Sequence, residues 1–280
     1  MRILQRRSRG PVPEGEESPL AAAAKGRDDA LIDTLAAAIR HGETALAFQP
    51  VFRAQPPHDA LFQEGFIRIF DATGRILPLR DALPLIEDTE LGRTLDRQAL
   101  DIGLRTLARH PRLRLSINLS ARSIGYRPWL DLLESSLAQA PRLGERLMLE
   151  IGEASAAALP ELVIDLMDRL QIHGVAFALD NFGSGQTSFR QFREFFFDAV
   201  KIDAQFVHGV ARSSGNQAVV KALVAVAREF DMMVIANAIE RVEDAEFLVR
   251  AGVECLQGHL FAAPTLRPDW AVAEDARRPA

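Results

Sequence analysis

Eight short apolar runs constrain this chain more than any other feature. They are "ALAFQPVF" (45–52), "LFQEGFIRIF" (61–70), "LRLSINLS" (113–120), "RLMLEIG" (146–152), "VAFALD" (175–180), "DAVKID" (198–203), "MMVIANAI" (232–239) and "ECLQGHLF" (254–261). Most are continuous rather than alternating, the pattern of strands buried on both faces. From the third run on, helical patterns separate them: "YRPWLDLLESSLAQA", "LPELVIDLMDRLQIHG" with Gly174 as its C-cap, "NQAVVKALVAVAREFD", and "VEDAEFLVRAG" closing on Gly252. Residues 28–41 read as a leading helix capped by Asp28 or Asp29, and residues 83–109 as one long helix or a helix pair. Alternating strand and helix with this strand count predicts a (β/α)8 TIM-like barrel in a single domain. The first two runs lie too close together for a helix, so they are expected to form a hairpin, which makes one strand antiparallel.

The length of 280 residues suits such a barrel, which typically needs roughly 250. Residues 1–27 are rich in Arg, Pro, Gly and Glu and are expected to be a disordered tail. The barrel domain is then 28–270, with a second tail over 271–280. Arg2, Arg6, Arg7 and Arg9 read as a solvated basic cluster on the first tail. The net charge of −5 argues against a nucleic-acid partner, and any anionic ligand needs local cations or bound metal. The single cysteine, Cys255, excludes an internal disulfide, fits a reducing compartment, and reads as a small core residue. No apolar stretch approaches the roughly 18–20 residues of a membrane span, and no hydrophobic segment follows the first arginines as in a secretory signal. A cytoplasmic protein is expected.

In a barrel of this kind the active site lies at the C-terminal ends of the strands. The polar residues at or near those ends are Glu64 and Arg68, Asn118, Glu150 with Glu153 beyond it, Asp180 and Asn181, Lys201 and Asp203, Asn237 and Glu240, and Gln257; Gln49 lies in the first run. Taken singly, each is as well explained by a loop contact or solvation. "DNFGSG" alone is no more than a strand-ending turn, with Gly183 and Gly185 supplying positive φ. As a set, Glu64, Asn118, Glu150 and Asp180 come from four separate strands and would converge on one mouth. Carboxylate and amide oxygens without His or Cys suit Mg²⁺, Mn²⁺ or Ca²⁺ rather than zinc.

These residues carry a resemblance over roughly residues 44–268. "FQPVF" (48–52), "EGFIR" (64–68), "INLSARS" (117–123), "LEIGE" (149–153), "ALDNFGSGQTSF" (178–189), "DAVKID" (198–203), "IANAIE" (235–240) and "QGHLFAAP" (257–264) stand in the order and spacing of the EAL-domain cyclic-di-GMP phosphodiesterases. The resemblance implies a two-metal barrel mouth that opens one phosphodiester of cyclic di-GMP to give linear pGpG, using Mg²⁺ or Mn²⁺, with Ca²⁺ inhibitory or supporting binding only. By position, Glu64, Asn118, Glu150 and Asp180 match ligands of the first metal. Lys201 matches the active-site lysine, Arg68 a phosphate contact and Gln49 a guanine contact, while Gln257 lines the mouth and Asp203 joins the ligand-binding set. Glu153 matches the acid that brace the loop after Asp180, and Glu240 a second acid of the family's Glu-Gly-Val-Glu segment. The resemblance also implies a homodimer.

Three positions depart from the family pattern. Asp180-Asn181 stands for Asp-Asp, Asn237 for a glutamate, and Glu64-Gly65-Phe66 for Glu-Ala-Leu. The first two fall on the second metal's side, where two amides in place of two carboxylates remove two negative charges and weaken that site. The expectation is a degenerate member that binds cyclic di-GMP as a receptor with impaired hydrolysis. Two alternatives stand beside it: a working phosphodiesterase, and a protein-interaction module that ignores the nucleotide. The last is motivated by the crowded "FREFFFDAV", where Phe192, Phe195, Phe196 and Phe197 fall together. Such a cluster more often packs as core.

Overall fold

Pro19 and the alanines behind it start the first helix early. In the computed structural model, which describes residues 19–185 and 189–271, α1 runs Pro19–His41. Proline is preorganised for a first helical turn and alanine is the best helix former, so residues 19–27 are helical rather than part of a disordered tail. Asp28 and Asp29 consequently lie inside the helix and do not cap it. Residues 1–18, with the four arginines, and 272–280 lie outside the described residues.

The hairpin follows. β1 (Thr44–Arg53) and β2 (Ala60–Ile69) pair antiparallel, with Gln49 opposite Glu64. Residues 83–109 belong to a helix pair, α2 (Leu79–Ile86) and α3 (Glu90–Arg109), and the Thr89 hydroxyl caps the second by accepting from the Leu91 N–H at 3.2 Å. Then come β3 (Leu115–Asn118), α4 (Arg127–Gln139), β4 (Leu147–Gly152), α5 (Glu153–Ala158), α6 (Pro160–Gln171) and β5 (Ala176–Phe182). The chain continues through α7 (Phe189–Phe192), β6 (Ala199–Ile202), α8 (Ala204–Val207), α9 (Ser214–Glu229), β7 (Met233–Ala236), α10 (Val242–Ala251) and β8 (Cys255–Leu256). The strands close in sequence order into one barrel; β1 is antiparallel to both neighbours and β2 to β8 are parallel. Each apolar run therefore contains a strand, and the barrel with one antiparallel strand is the observed fold. Gly252 caps α10 in the left-handed region, while Gly174 takes that conformation two residues beyond the actual C-cap of α6, Ile172.

Two apolar layers hold the barrel. Between strands and helices, Leu100, Trp129, Leu133, Leu149, Ile151 and Leu166 are all buried. Inside the barrel, Val51, Phe62, Ala178, Ala199, Ile235 and Cys255 pack together, with Met148 against them. Burial, then the charge of Glu254, pushes the Cys255 thiol up to about 11, so it stays protonated as a core side chain. Of the crowded phenylalanines, Phe192, Phe195 and Phe197 are core and only Phe196 faces out, 56% exposed. Among the described residues, no helix is long and apolar enough to cross a membrane.

Candidate active site

Side chains on a strand point to the same face every second residue. Moving two residues from each inner apolar position therefore reaches the next layer of the barrel interior. Phe62 leads to Glu64, Met148 to Glu150, Ala178 to Asp180, Ala199 to Lys201, Ile235 to Asn237 and Cys255 to Gln257; on reversed β1, Val51 leads back to Gln49. The polar layer at the mouth is thus the same strands continued by one repeat.

At its centre lies Lys201, 2% exposed, with Nζ 2.6 Å from both Glu64 Oε2 and Glu150 Oε2 and 3.9 Å from Asp180 Oδ1. Glu64 is saturated with donors. Asn118 Nδ2 donates to its Oε1 at 3.1 Å, and Gln257 Nε2 joins Lys201 at Oε2 at 2.8 Å. Burial pushes the Glu64 carboxyl up, but the Lys201 charge and these hydrogen bonds outweigh it and hold the group below the usual range. Glu150 goes the other way, to about 8: burial and then the Glu64 charge exceed the pull of Lys201. Burial also raises Asp180, against the Lys201 charge. Burial would lower Lys201, yet Glu150, Glu64 and Asp180 together raise it, so it is an ammonium at any ordinary pH.

Around this centre opens a cavity of about 550 Å³ lined by Gln49, Phe66, Arg68, Asn237, Glu240 and Gln257 together with Glu64, Asn118, Asp180 and Lys201. Gln49 is oriented by donating to the Ala262 carbonyl at 2.8 Å. Arg68 lies over the Phe66 ring, 5.7 Å from its centroid, and donates to the Ile67 carbonyl. Glu240 is on the exposed rim. Asp203 is not among the lining residues; its carboxylate caps α8, accepting from the Gln205 N–H at 2.9 Å, and reaches the site only through its charge on Asp180. Glu153 also points elsewhere, accepting from the Gly183 N–H at 3.1 Å and the Ser184 hydroxyl at 2.6 Å, the geometry of a loop brace. His208 and His259 line the cavity too; His259 lies in the segment 257–264 that carries the resemblance, with no role assigned to it there, and nothing in the sequence around His208 marks it.

A second cavity of about 270 Å³ meets the first at Asn118 and Asp180, and its walls include Asp96, Glu150, Ser155 and Asn181. Asn181 stands at φ 58°, where the pairing of β5 with β6 shifts register after Leu179. Its amide donates to Asp180 Oδ2 at 3.0 Å. A second carboxylate there would repel Asp180; the amide binds it. Burial raises Asp96 to about 7, although Ser123 and Ser120 donate to it. Nothing in the sequence distinguishes Asp96 from the other acids of α3, so it is found only from the fold.

The donor chemistry fits a hard divalent cation. Glu150 Oε1, Asp180 Oδ1, Asn237 Oδ1 and Gln257 Oε1 are buried acceptor oxygens that receive no hydrogen bond. Buried acceptors of this kind are otherwise costly, and oxygen ligands suit Mg²⁺, Mn²⁺ or Ca²⁺. Among the described residues no three His, Cys, Asp or Glu side chains are already gathered as a metal cluster, because the acids are arranged around the Lys201 ammonium instead.

Residues 32–264 match the EAL domain family. Cyclic di-GMP phosphodiesterase NbdA of Pseudomonas aeruginosa is 27% identical over 247 residues, which is 83% of this chain and 30% of that protein. Cyclic di-GMP phosphodiesterase PdeR of Escherichia coli is 27% identical over 238 residues, 83% of this chain and 36% of that protein. The chain thus spans about a third of the length of these curated relatives. Among solved structures, the PaMucR phosphodiesterase in its c-di-GMP complex superposes with a TM-score of 0.76 at 26% identity, covering 84% of this chain and 97% of that one. The FimX EAL domain from Pseudomonas aeruginosa, bound to c-di-GMP, shares the fold with a TM-score of 0.77 at 24% identity, covering 85% and 97%.

Proposed function

The chain belongs to the EAL domain family, and on that footing we propose that it binds cyclic di-GMP at the barrel mouth as a receptor and hydrolyses it poorly. The observation that supports this reading is the charge pattern of the site. Glu64, Glu150 and Asp180 keep their carboxylates around the Lys201 ammonium, with Asn118 bonded to Glu64, whereas Asn237 in the mouth cavity and Asn181 in the adjoining one offer amides. Glu64, Asn118, Glu150 and Asp180 would hold one divalent cation, Mg²⁺ or Mn²⁺, with Ca²⁺ supporting binding alone. Such a cation supplies a Lewis acid and brings the pKa of bound water down towards 7. Asn181 and Asn237 bring no charge to a second one. The remaining work falls to the chain's own groups. Arg68 supplies positive charge that a cyclic dinucleotide dianion needs in a protein of net charge −5, and Lys201 offsets part of the acidic charge beneath it. Gln49, fixed by the Ala262 carbonyl, presents its amide oxygen to a base edge. Glu153 holds the loop after Asp180, and Glu240 contributes an acid at the rim.

Calorimetric titration with cyclic di-GMP in Ca²⁺ is expected to give micromolar or tighter binding, and incubation with Mn²⁺ followed by chromatography to return the nucleotide intact. No binding at tens of micromolar, with or without metal, would eliminate the receptor. Efficient release of pGpG would establish the phosphodiesterase instead. We also propose a homodimer, supported by Phe196 and Ile172, which are 56% and 80% exposed on neighbouring segments joined by the Gln171–Phe196 hydrogen bond. Light scattering should report twice the chain mass, and a monomer at high concentration would refute it.

A further inference from the structure

Asn118 is the only amide in the four-residue set, and its orientation depends on the turn that follows it. Its Nδ2 is engaged by Glu64 at 3.1 Å, which leaves Oδ1 as its free ligand atom. The next three backbone N–H groups are each held by a different element. Leu119 N–H donates to the Glu150 carbonyl of β4 at 2.8 Å. Ser120 N–H donates to Asp96 Oδ2 of α3 at 3.2 Å, and the Ser123 hydroxyl donates to the same oxygen at 2.6 Å. Ala121 N–H donates to Ser155 Oγ of α5 at 2.9 Å. Three consecutive tethers from three elements fix both the position and the twist of the strand end.

The third tether also links the turn to the far side of the mouth. α5 continues directly from β4, which carries Glu150, and its first residue is Glu153. Glu153 holds Gly183 and Ser184, the turn after Asp180 and Asn181, while Ser155 two residues on holds the turn after Asn118. A six-residue helix therefore grips the turns of both neighbouring strands.

We infer that Asp96 and Ser155 are positioning residues of the mouth: they hold the β3 turn so that Asn118 Oδ1 is presented to a divalent cation, and through α5 they keep that turn in register with the one bearing Asp180. The inference rests on the reading of Asn118 as a cation ligand. Partners that orient a ligating side chain typically matter by 10–100-fold in metal affinity.

The test is Ca²⁺ titration by calorimetry on the full chain without nucleotide, so that loss of nucleotide binding has no bearing on it. Ser155→Ala and Asp96→Ala should each weaken Ca²⁺ binding about tenfold or more. Ser155→Thr and Asp96→Asn, which keep an acceptor oxygen in place, should recover most of it. Ser135→Ala should change nothing, because that hydroxyl bonds only within its own helix. Amide hydrogen exchange gives a second readout that needs no ligand: Ser155→Ala should speed exchange at Ala121 well beyond its effect on the barrel strands. Folded alanine variants that bind Ca²⁺ as wild type does would overturn the inference alone. Wild-type protein with no Ca²⁺ response would overturn the reading of Asn118 and the inference with it. If an alanine variant does not fold, unchanged Ca²⁺ affinity in a folded Ser155→Cys protein, whose sulfur is only a weak acceptor, would be equally decisive against it.

Discussion

Asn181→Asp combined with Asn237→Glu is expected to raise Mn²⁺-dependent release of pGpG from cyclic di-GMP by about a hundredfold or more, the scale on which single transition-state contacts act in other active sites. The backbone accommodates both changes. Asn181 sits at φ 58°, a region that Asp occupies almost as readily as Asn. Asn237 lines the mouth cavity of about 550 Å³, which has room for one more methylene. The double variant restores two negative charges where amides now stand. It also replaces the Asn181 hydrogen bond to Asp180 with a like-charge pair that only a cation can relieve. Metal dependence should therefore steepen along with rate. Each single variant should recover less than the product of the two effects, since both carboxylates serve one site. Chromatographic assay of wild type, singles and double at fixed Mn²⁺ decides it. Wild-type turnover equal to that of the double variant would show that the asparagines impair nothing, and an inactive double variant that binds two cations would locate the defect elsewhere.

Lys201→Met should be the most damaging single change to the metal-free protein. The ammonium holds the side chains of Glu64 and Glu150, each almost fully buried, and removing one member of a buried ionic cluster typically costs about 3–5 kcal/mol. The effect depends on pH with a definite sign. In the wild type Glu64 is held below its unfolded value, so its contribution is present above that value and lost as pH falls through the folded one. Glu150, raised to about 8, contributes below its unfolded value of 4.5 and loses that contribution as pH rises through about 8. Without Lys201, burial and mutual repulsion raise both acids. The folded variant then retains protons that the unfolded chain releases, and its stability falls as pH climbs above 4.5. Urea melts should show the gap between wild type and variant widening from pH 4.5 towards pH 8, and narrowing further below pH 4.5 as wild type alone loses the Glu64 contribution. A constant gap across that range would mean that Lys201 acts by packing rather than by charge.

Most of the fold was legible because apolar continuity is a backbone-scale signal. The hairpin is evident from the short interval between 52 and 61, whereas which residues of each run face the lumen emerges only with the closed barrel. The early start of α1 differs from the expected tail because "PLAAAAKGRDD" lacks bulky apolar residues and signals a helix only through its alanines. The candidate site is legible where an acid interrupts the C-terminal half of an apolar run, as Glu150 and Asp180 do. It was illegible where a contact depends on how one element lies across another. Asp96 sits on α3, with no motif around it, and becomes part of the site only when that helix packs beside the β3 turn. The hold of Glu153 on the loop after Asp180 is what the resemblance implies, but nothing in the sequence reveals that Asp203, another acid at a strand end, turns to cap a helix.

The antiparallel β1 makes the barrel depend on both ends of its sequence. One edge of β1 pairs with β2, and among the described residues its other edge is met by Leu256 and Cys255 of β8 and by the bridge from Phe48 to Thr265. A fragment cut before β8 would leave that hydrophobic edge unpaired, the kind of surface through which chains pair with one another. It would also lose Gln257, which lines the mouth together with Gln49, so truncation at one end of the barrel removes the mouth together with the seal.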